Sequence, residues 1–255
     1  MAGTVFKRIA GSLLAAILVT ASLAAPDNGA IAASSKPVAV VELFTSQGCS
    51  SCPPADKLLG KYAKRSDIVA LTFPVDYWDY LGWKDTLASP AYSARQRSYA
   101  AARGDGQVYT PQAVINGLRH ANGSHERAIN RAISKTQKSW QGTRISLKMW
   151  TEGDVLIISA GAAPEGARVK PATIWLALTK KTETVTINRG ENRGRTITYH
   201  SVVREMTPVG RWTGQEVMVK LPKHHLMSGG SDGCTVLLQQ DTAGPILAAA
   251  ELKDW

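Results

Sequence analysis

Cysteine is scarce: the 255 residues contain three, Cys49, Cys52 and Cys234. A chain of this size buries a core without covalent staples, so this is no disulfide scaffold. The odd number leaves one thiol over if the close pair bonds to itself. No second Cys or His pair stands at zinc-finger spacing. The five histidines fall at 120, 125, 200, 224 and 225, and a lone cysteine pair supplies only half of a tetrahedral zinc site. Beyond the N-terminal stretch no apolar run is long enough for a membrane-crossing helix. A basic stripe is missing too. The formal charge of +10 is spread along the chain, which argues against nucleic acid as a partner. Neither internal repeats nor low-complexity tracts occur.

Lys7 and Arg8 precede a run from Ile9 to Ala25 that is almost wholly apolar or small. Ser22-Leu23-Ala24 and Ala30-Ile31-Ala32 follow as candidate cleavage points. This pattern reads as a signal peptide over residues 1–32 and implies a periplasmic or secreted protein, not membrane-spanning once processed. An uncleaved anchor is the other reading. The remainder, with 44% hydrophobic and 20% charged residues over the whole sequence, has the composition of a globular chain.

Periodicity divides it near 138–143. Before that point "VAVVELF" reads as a buried strand within 37–46, and Pro53-Pro54 suit the first turn of a helix running to about Arg65. Residues 67–76 read as a strand, Pro90–Arg103 as a helix, 108–117 as a strand and 124–137 as a helix. Alternating strands and helices predict an α/β layer. Afterwards come short strand-like runs, among them "RISLKMW", "DVLIISA", "TIWLALT", "RTITYHSVVREM" and "CTVLLQQ", separated by turn residues. They predict an all-β, sandwich-like unit. The expectation is therefore two domains, 37–140 and 143–255.

Cys49 and Cys52 stand three apart at the mouth of a helix that follows a strand. Unpaired N–H groups and the partial positive charge of a helix start stabilise a thiolate at Cys49, and Cys52 is close enough to close a disulfide. That is the minimum apparatus of thiol–disulfide exchange. Two thiolates with one imidazole would also suit Cu(I). A purely structural disulfide is weak on physical grounds, because so short a loop removes little chain entropy. Thr110-Pro111 either merely starts a strand or is a cis-proline facing the pair, with backbone left open to a substrate chain. Glu42 interrupts an apolar run. Buried, it would have a raised pKa and could move protons for the cysteines; on a half-exposed face it would have salt partners.

The strand, the "CSSC" at a helix start and the later "TP" strand resemble the thioredoxin fold over about residues 37–137. Glu42 precedes Cys49 by seven residues, where thioredoxins usually have six, and Gln47-Gly48 replace the usual tryptophan. The stretches "ELFTSQGCSSCPPAD", "VDYWDYLGWKD", "ASPAYSARQRSYA", "VYTPQAVING" and "GRTITYHSVVR" resemble a family of exported bacterial thioredoxin-like proteins. That family is catalogued as a domain of unknown function, number one-two-two-three. The resemblance implies an α/β thioredoxin-like domain followed by the sandwich, and identifies a fold without an activity.

Tyr77, Trp78, Tyr80 and Trp83, in a loop at the cysteine edge of the sheet, form either an apolar groove or core packing. Arg189, Arg193 and Arg195 read as a solvated hairpin loop or an anion contact. Cys234 reads as a small buried hydrophobe. The resulting expectation is a thiol–disulfide oxidoreductase needing no cofactor and no metal. Cys49, Cys52, Pro111 and Glu42 would be catalytic, and Thr110, Tyr77, Trp78 and Asp79 would bind substrate. Its partners would be protein or small-molecule thiols and disulfides. A Cu(I)-handling protein and a non-catalytic binding module are the alternatives.

Overall fold

The computed structural model describes Met1 and residues 37–142, 145–226 and 229–252. Apart from Met1, the expected signal peptide lies outside the described residues. The chain begins with strand β1 (Ala39–Thr45), helix α1 (Pro53–Ala63) and strand β2 (Ile68–Pro74). A 3-10 turn at Asp79–Leu81 leads to α2 (Pro90–Arg103), β3 (Gln112–Ile115), β4 (Arg119–Asn122) and α3 (Glu126–Gly142). Strands β5 (Leu147–Glu152), β6 (Val155–Ala160), β7 (Ala172–Thr186), β8 (Thr196–Trp212) and β9 (Val217–Pro222) follow. A single helical turn, α4 (Lys223–Leu226), precedes β10 (Gly233–Gln240) and β11 (Ile246–Leu252).

Local chemistry explains the helix ends. Pro53 and Pro54 open α1, where a missing N–H costs no helical hydrogen bond. The Ser89 hydroxyl accepts from the Ala91 N–H at the head of α2, Pro90 follows, and Gly104 ends the helix at φ 73°. Inside α1, Gly60 is a packing requirement. A Cβ there would lie 2.5 Å from the His200 ring on β8.

Eight strands form one mixed sheet in the order β11-β10-β7-β8-β2-β1-β3-β4, and β5-β6-β9 form a second, smaller one. β1 is buried along its whole length, as a strand covered on both faces must be. Its Ala39, Val41 and Leu43 pack with Leu58, Leu59 and Tyr62 of α1 and with Ile129 and Ile133 of α3. Val40 and Phe44 point the other way, into a core with Tyr92 and Tyr99 of α2. The smaller sheet packs Met149, Leu156 and Ile158 against Ile174, Leu176, Trp212 and Val236 of the large one.

This architecture corrects the expectation of an α/β thioredoxin-like domain followed by a separate β-sandwich. The described chain is mostly sheet, and the large sheet passes without a break from β1 and β2 into β8, β7, β10 and β11. The junction is the parallel pairing of Thr72 with Val202, reinforced by the Thr72 hydroxyl donating to the His200 carbonyl at 2.7 Å. One core cluster also holds Phe44, Phe73 and Tyr99 together with Ala177, Val203, Leu237 and Ile246. Each large apolar side chain so buried contributes about 1.5–3 kcal/mol. The change of texture near 140 reflects a change from helix-covered to strand-covered sheet. It is not an end of the hydrophobic core.

Candidate functional site

Cys49 and Cys52 are joined in a disulfide with their Cα atoms 5.4 Å apart. Ser46 to Cys52 form a tight turn: Cys49 N–H donates to the Ser46 carbonyl at 3.2 Å, and Cys52 N–H to the Cys49 carbonyl at 3.1 Å. Cys52 is the N-cap of α1, and its carbonyl accepts from the Ala55 and Asp56 N–H groups. Any thiolate released here would face the positive end of that helix. Both cysteines are nonetheless 0% exposed.

Two loops, one from each half of the sequence, provide the cover. In the 76–89 loop, Trp78 lies against Gly48, where a Cβ would approach the Trp78 Cβ to 3.0 Å. The Trp78 indole N–H donates to the Thr110 hydroxyl at 2.7 Å, and Trp83 donates to the Gln47 side-chain carbonyl at 2.7 Å. The other loop is 187–195, between β7 and β8. It buries Asn192, whose amide donates to the carbonyls of Gln47 (2.9 Å) and Cys49 (2.8 Å). Ile187, Ile197, Tyr199 and Val202 pack with Trp83 and Leu87, so the two loops share a small core above the disulfide.

Two buried carboxyls, Asp56 on α1 and Asp85 in the 76–89 loop, belong to the same region. Asp56 stands one helical turn beyond Cys52, a spacing that places both on one face of α1. Its Oδ1 accepts from the Thr45 hydroxyl at 2.7 Å; its Oδ2 is buried with no hydrogen-bond partner. Burial pushes its pKa up to about 8 against the opposing Thr45 hydrogen bond, and the Asp85 charge adds to the rise. Asp85 accepts from the backbone N–H groups of Gln47 (2.8 Å) and Leu87 (2.9 Å), which only partly offset a rise to about 6 caused by burial. The Tyr199 hydroxyl is also buried without a partner. Burial and the charges of Asp56 and Asp85 keep it protonated.

Of the residues singled out in the sequence, Cys49, Cys52, Thr110, Pro111 and Trp78 come together. The Thr110–Pro111 peptide is cis. Pro111 packs near the first turn of α1: the space a side chain at Gly123 would need is taken by Leu43, Ala55 and Pro111. Glu42 is not with them. It projects to the α2 face, where it is 0% exposed and accepts from Arg95 Nε at 2.8 Å and from the Tyr99 hydroxyl. Gln239 of β10 joins this network, receiving Arg95 Nη2 at 2.9 Å and donating to Tyr99 at 2.8 Å. Tyr77 donates to Gln96 and packs into the core beside Trp78. Asp79 accepts from the Asp85 N–H at 3.0 Å, bracing its own loop. Tyr80 is 80% exposed. Arg189, Arg193 and Arg195 are exposed. Cys234 is buried, 3.6 Å from the Met149 sulfur, and burial pushes its pKa up to about 12.

Asp56, Asp85, Asn192 and Tyr199 are not among the residues that the sequence singles out. Only Asp56 left a signal there, as an acid four residues after Cys52. Among the described residues no group of three or more His, Cys, Asp or Glu side chains converges as a metal cluster. No helix among them is long and apolar enough to cross a membrane.

Comparison with known proteins places these features in a family. The family model described as "Protein of unknown function (DUF1223)" matches residues 40–239, and the chain belongs to that family. A crystal structure of a protein from Agrobacterium tumefaciens is 37% identical at a TM-score of 0.76, covering 86% of this chain and 96% of that one. HBP35 of Porphyromonas gingivalis is similar in fold at a TM-score of 0.55 and 12% identity, covering 87% of this chain and 76% of that chain. No curated protein matches the chain.

Proposed function

From membership of a family whose description names no chemistry, we propose that this chain performs thiol–disulfide exchange at Cys49–Cys52. The observation that carries the reading is the disulfide at the first turn of α1 with a buried carboxyl, Asp56, one turn beyond it. Its pKa near 8 lets that carboxyl hold or release a proton around neutral pH.

In the reducing direction the Cys49 thiolate attacks a substrate disulfide and expels one substrate thiolate, leaving a mixed disulfide. Cys52 then gives its proton to ionised Asp56 and attacks the Cys49 sulfur. The second substrate thiolate leaves, and two electrons have passed from the dithiol to the substrate. The oxidising direction reverses each step, with protonated Asp56 returning the proton to Cys52. Thr110 and Pro111 would border the incoming chain. Trp78 and the Asn192 loop must withdraw first, because both sulfurs are covered. Glu42 has no part in this scheme, being held by Arg95 and Tyr99 on the opposite face. The partners are protein or small-molecule thiols and disulfides, met in the periplasm or outside the cell after removal of residues 1–32. Relation to the thioredoxin-like superfamily, on this reading, rests on the local site.

Equilibration with glutathione followed by thiol trapping tests the proposal. A potential between about −270 and −120 mV supports exchange. A value below about −300 mV would make the disulfide structural and overturn the reading.

A further inference from the structure

The outer edge of the large sheet holds a second feature, away from the disulfide. Helix α3 presents Ala128, Arg131, Ala132, Lys135 and Thr136 on one face, at helical spacings of three and four. Opposite stand Arg119, His120 and Ala121 of the edge strand β4, with Arg103 and Asp105 from the end of α2. These residues line an open cleft of about 690 Å³, a volume within the usual range for small-molecule sites. The alanines leave the room, and long basic side chains form the walls.

Charge in this cavity is one-sided. Four side chains, Arg103, Arg119, Arg131 and Lys135, are formally positive, and Asp105 is the one acid among the lining residues. Asp105 is engaged already. It accepts from Arg103 Nε at 2.8 Å and Nη2 at 3.1 Å, and lies 3.3 Å from His120 Nε2. Those hydrogen bonds hold its pKa down to about 2. Among the described residues Arg119, Arg131 and Lys135 form no ion pair. The Arg103 side chain is 9% exposed, and its Nη1 is buried with no acceptor.

We propose that this cleft binds a phosphate monoester. Three uncompensated cations suit a dianion better than a single carboxylate. Guanidinium forks match the paired oxygens of phosphate, and the volume leaves space for the esterified group. Arg131 and Lys135 would hold the phosphate from α3 and Arg119 from β4, while Arg103 stays on Asp105 and the Gln107 carbonyl and keeps that acid neutralised.

Calorimetric titration of the full chain with phenyl phosphate, and co-sedimentation with phosphatidic acid vesicles, test this and separate a free phosphate ester from a lipid headgroup. Saturable binding of either probe, weakened about tenfold or more by Arg131→Gln with Lys135→Gln, is the expected result. Both substituted positions are exposed on a helix, so the fold should stand, and the thiol chemistry at Cys49–Cys52 should be unchanged. Failure of both probes to bind, binding indifferent to the two substitutions, or sulfate binding as tightly as phenyl phosphate would overturn the proposal. Preference for a single-stranded oligonucleotide over both probes would also overturn it.

Discussion

Asn192 is the most direct handle on the covered disulfide. Its amide makes two buried hydrogen bonds, to the Gln47 and Cys49 carbonyls, and so pins the 187–195 loop over the cysteines. Asn192→Ala removes both and leaves the two carbonyls without that donor. At about 1 kcal/mol net for each bond, the closed state loses about 2 kcal/mol. The buried Asn192 Oδ1 has no partner, so losing it offsets part of any further penalty. If a reductant reaches the disulfide only through an opened loop, the open population and the reduction rate rise together, by about 30-fold for 2 kcal/mol. The assay is dithiothreitol reduction under pseudo-first-order conditions, quenched in acid and read by thiol trapping. A control separates loop opening from general loosening. Leu156→Ala creates a cavity in the distant core of the smaller sheet, with a loss of about 2–5 kcal/mol. It should lower stability and leave the reduction rate nearly unchanged. An Asn192→Ala rate within twofold of the parent, or a Leu156→Ala rate raised equally, would sink the idea that this loop gates access.

Two further variants probe the carboxyls. Asp56 has its pKa raised from 3.8 to about 8 in the fold, so between those values the folded chain holds a proton that the unfolded chain releases. Stability from this group is therefore present at low pH and declines by up to about 1.4 kcal/mol per unit as pH rises through the window. Asp56→Asn should flatten the urea-midpoint profile between pH 5 and pH 8 and be the more stable form at the upper end; a profile parallel to the parent's would refute the assignment. Glu42→Ala should destabilise by about 3–5 kcal/mol, because Arg95 is left buried and unpaired, while the reduction rate and its pH dependence stay as in the parent. A pH profile of reduction displaced by Glu42→Ala would return Glu42 to the proton pathway.

What could be read in advance followed the range of the forces involved. The bounds of α2 were legible to the residue, since Ser89, Pro90 and Gly104 are local signals that act within a turn of where they stand. The cysteine turn and the neighbouring Thr110-Pro111 strand were legible for the same reason. The continuous sheet was not. It depends on pairing Thr72 with Val202, and no periodicity reports a contact between residues so far apart. Asn192 and Tyr199 lie on loop and strand positions that look like any polar hairpin until β8 carries them over α1. The arginines beside them drew attention by charge, yet remain exposed while the neutral Asn192 is buried.

The contrast between Glu42 and Asp56 shows why an acid near a cysteine pair has to be placed before it is given work. Side chains alternate along a strand, so odd and even separations from a fixed point fall on opposite faces. Counting from the strand end, Glu42 shares its face with Val40 and Phe44, and Thr45 shares the other with Leu43, over α1. A seventh-residue acid therefore meets α2, where Arg95, Tyr99 and Gln239 turn it into a tie between β1, α2 and β10. The face under the cysteines is served from the helix instead. There Asp56 meets the Thr45 hydroxyl, and burial together with the charge of Asp85 raises its pKa to about 8, so that it still holds its proton near neutral pH. Asp85, whose charge adds to the rise at Asp56, belongs to one of the two loops that exclude water from the disulfide. Opening the cover should thus expose the sulfurs and let Asp56 ionise in one motion, coupling access for a substrate thiol to the proton transfer that its exchange requires.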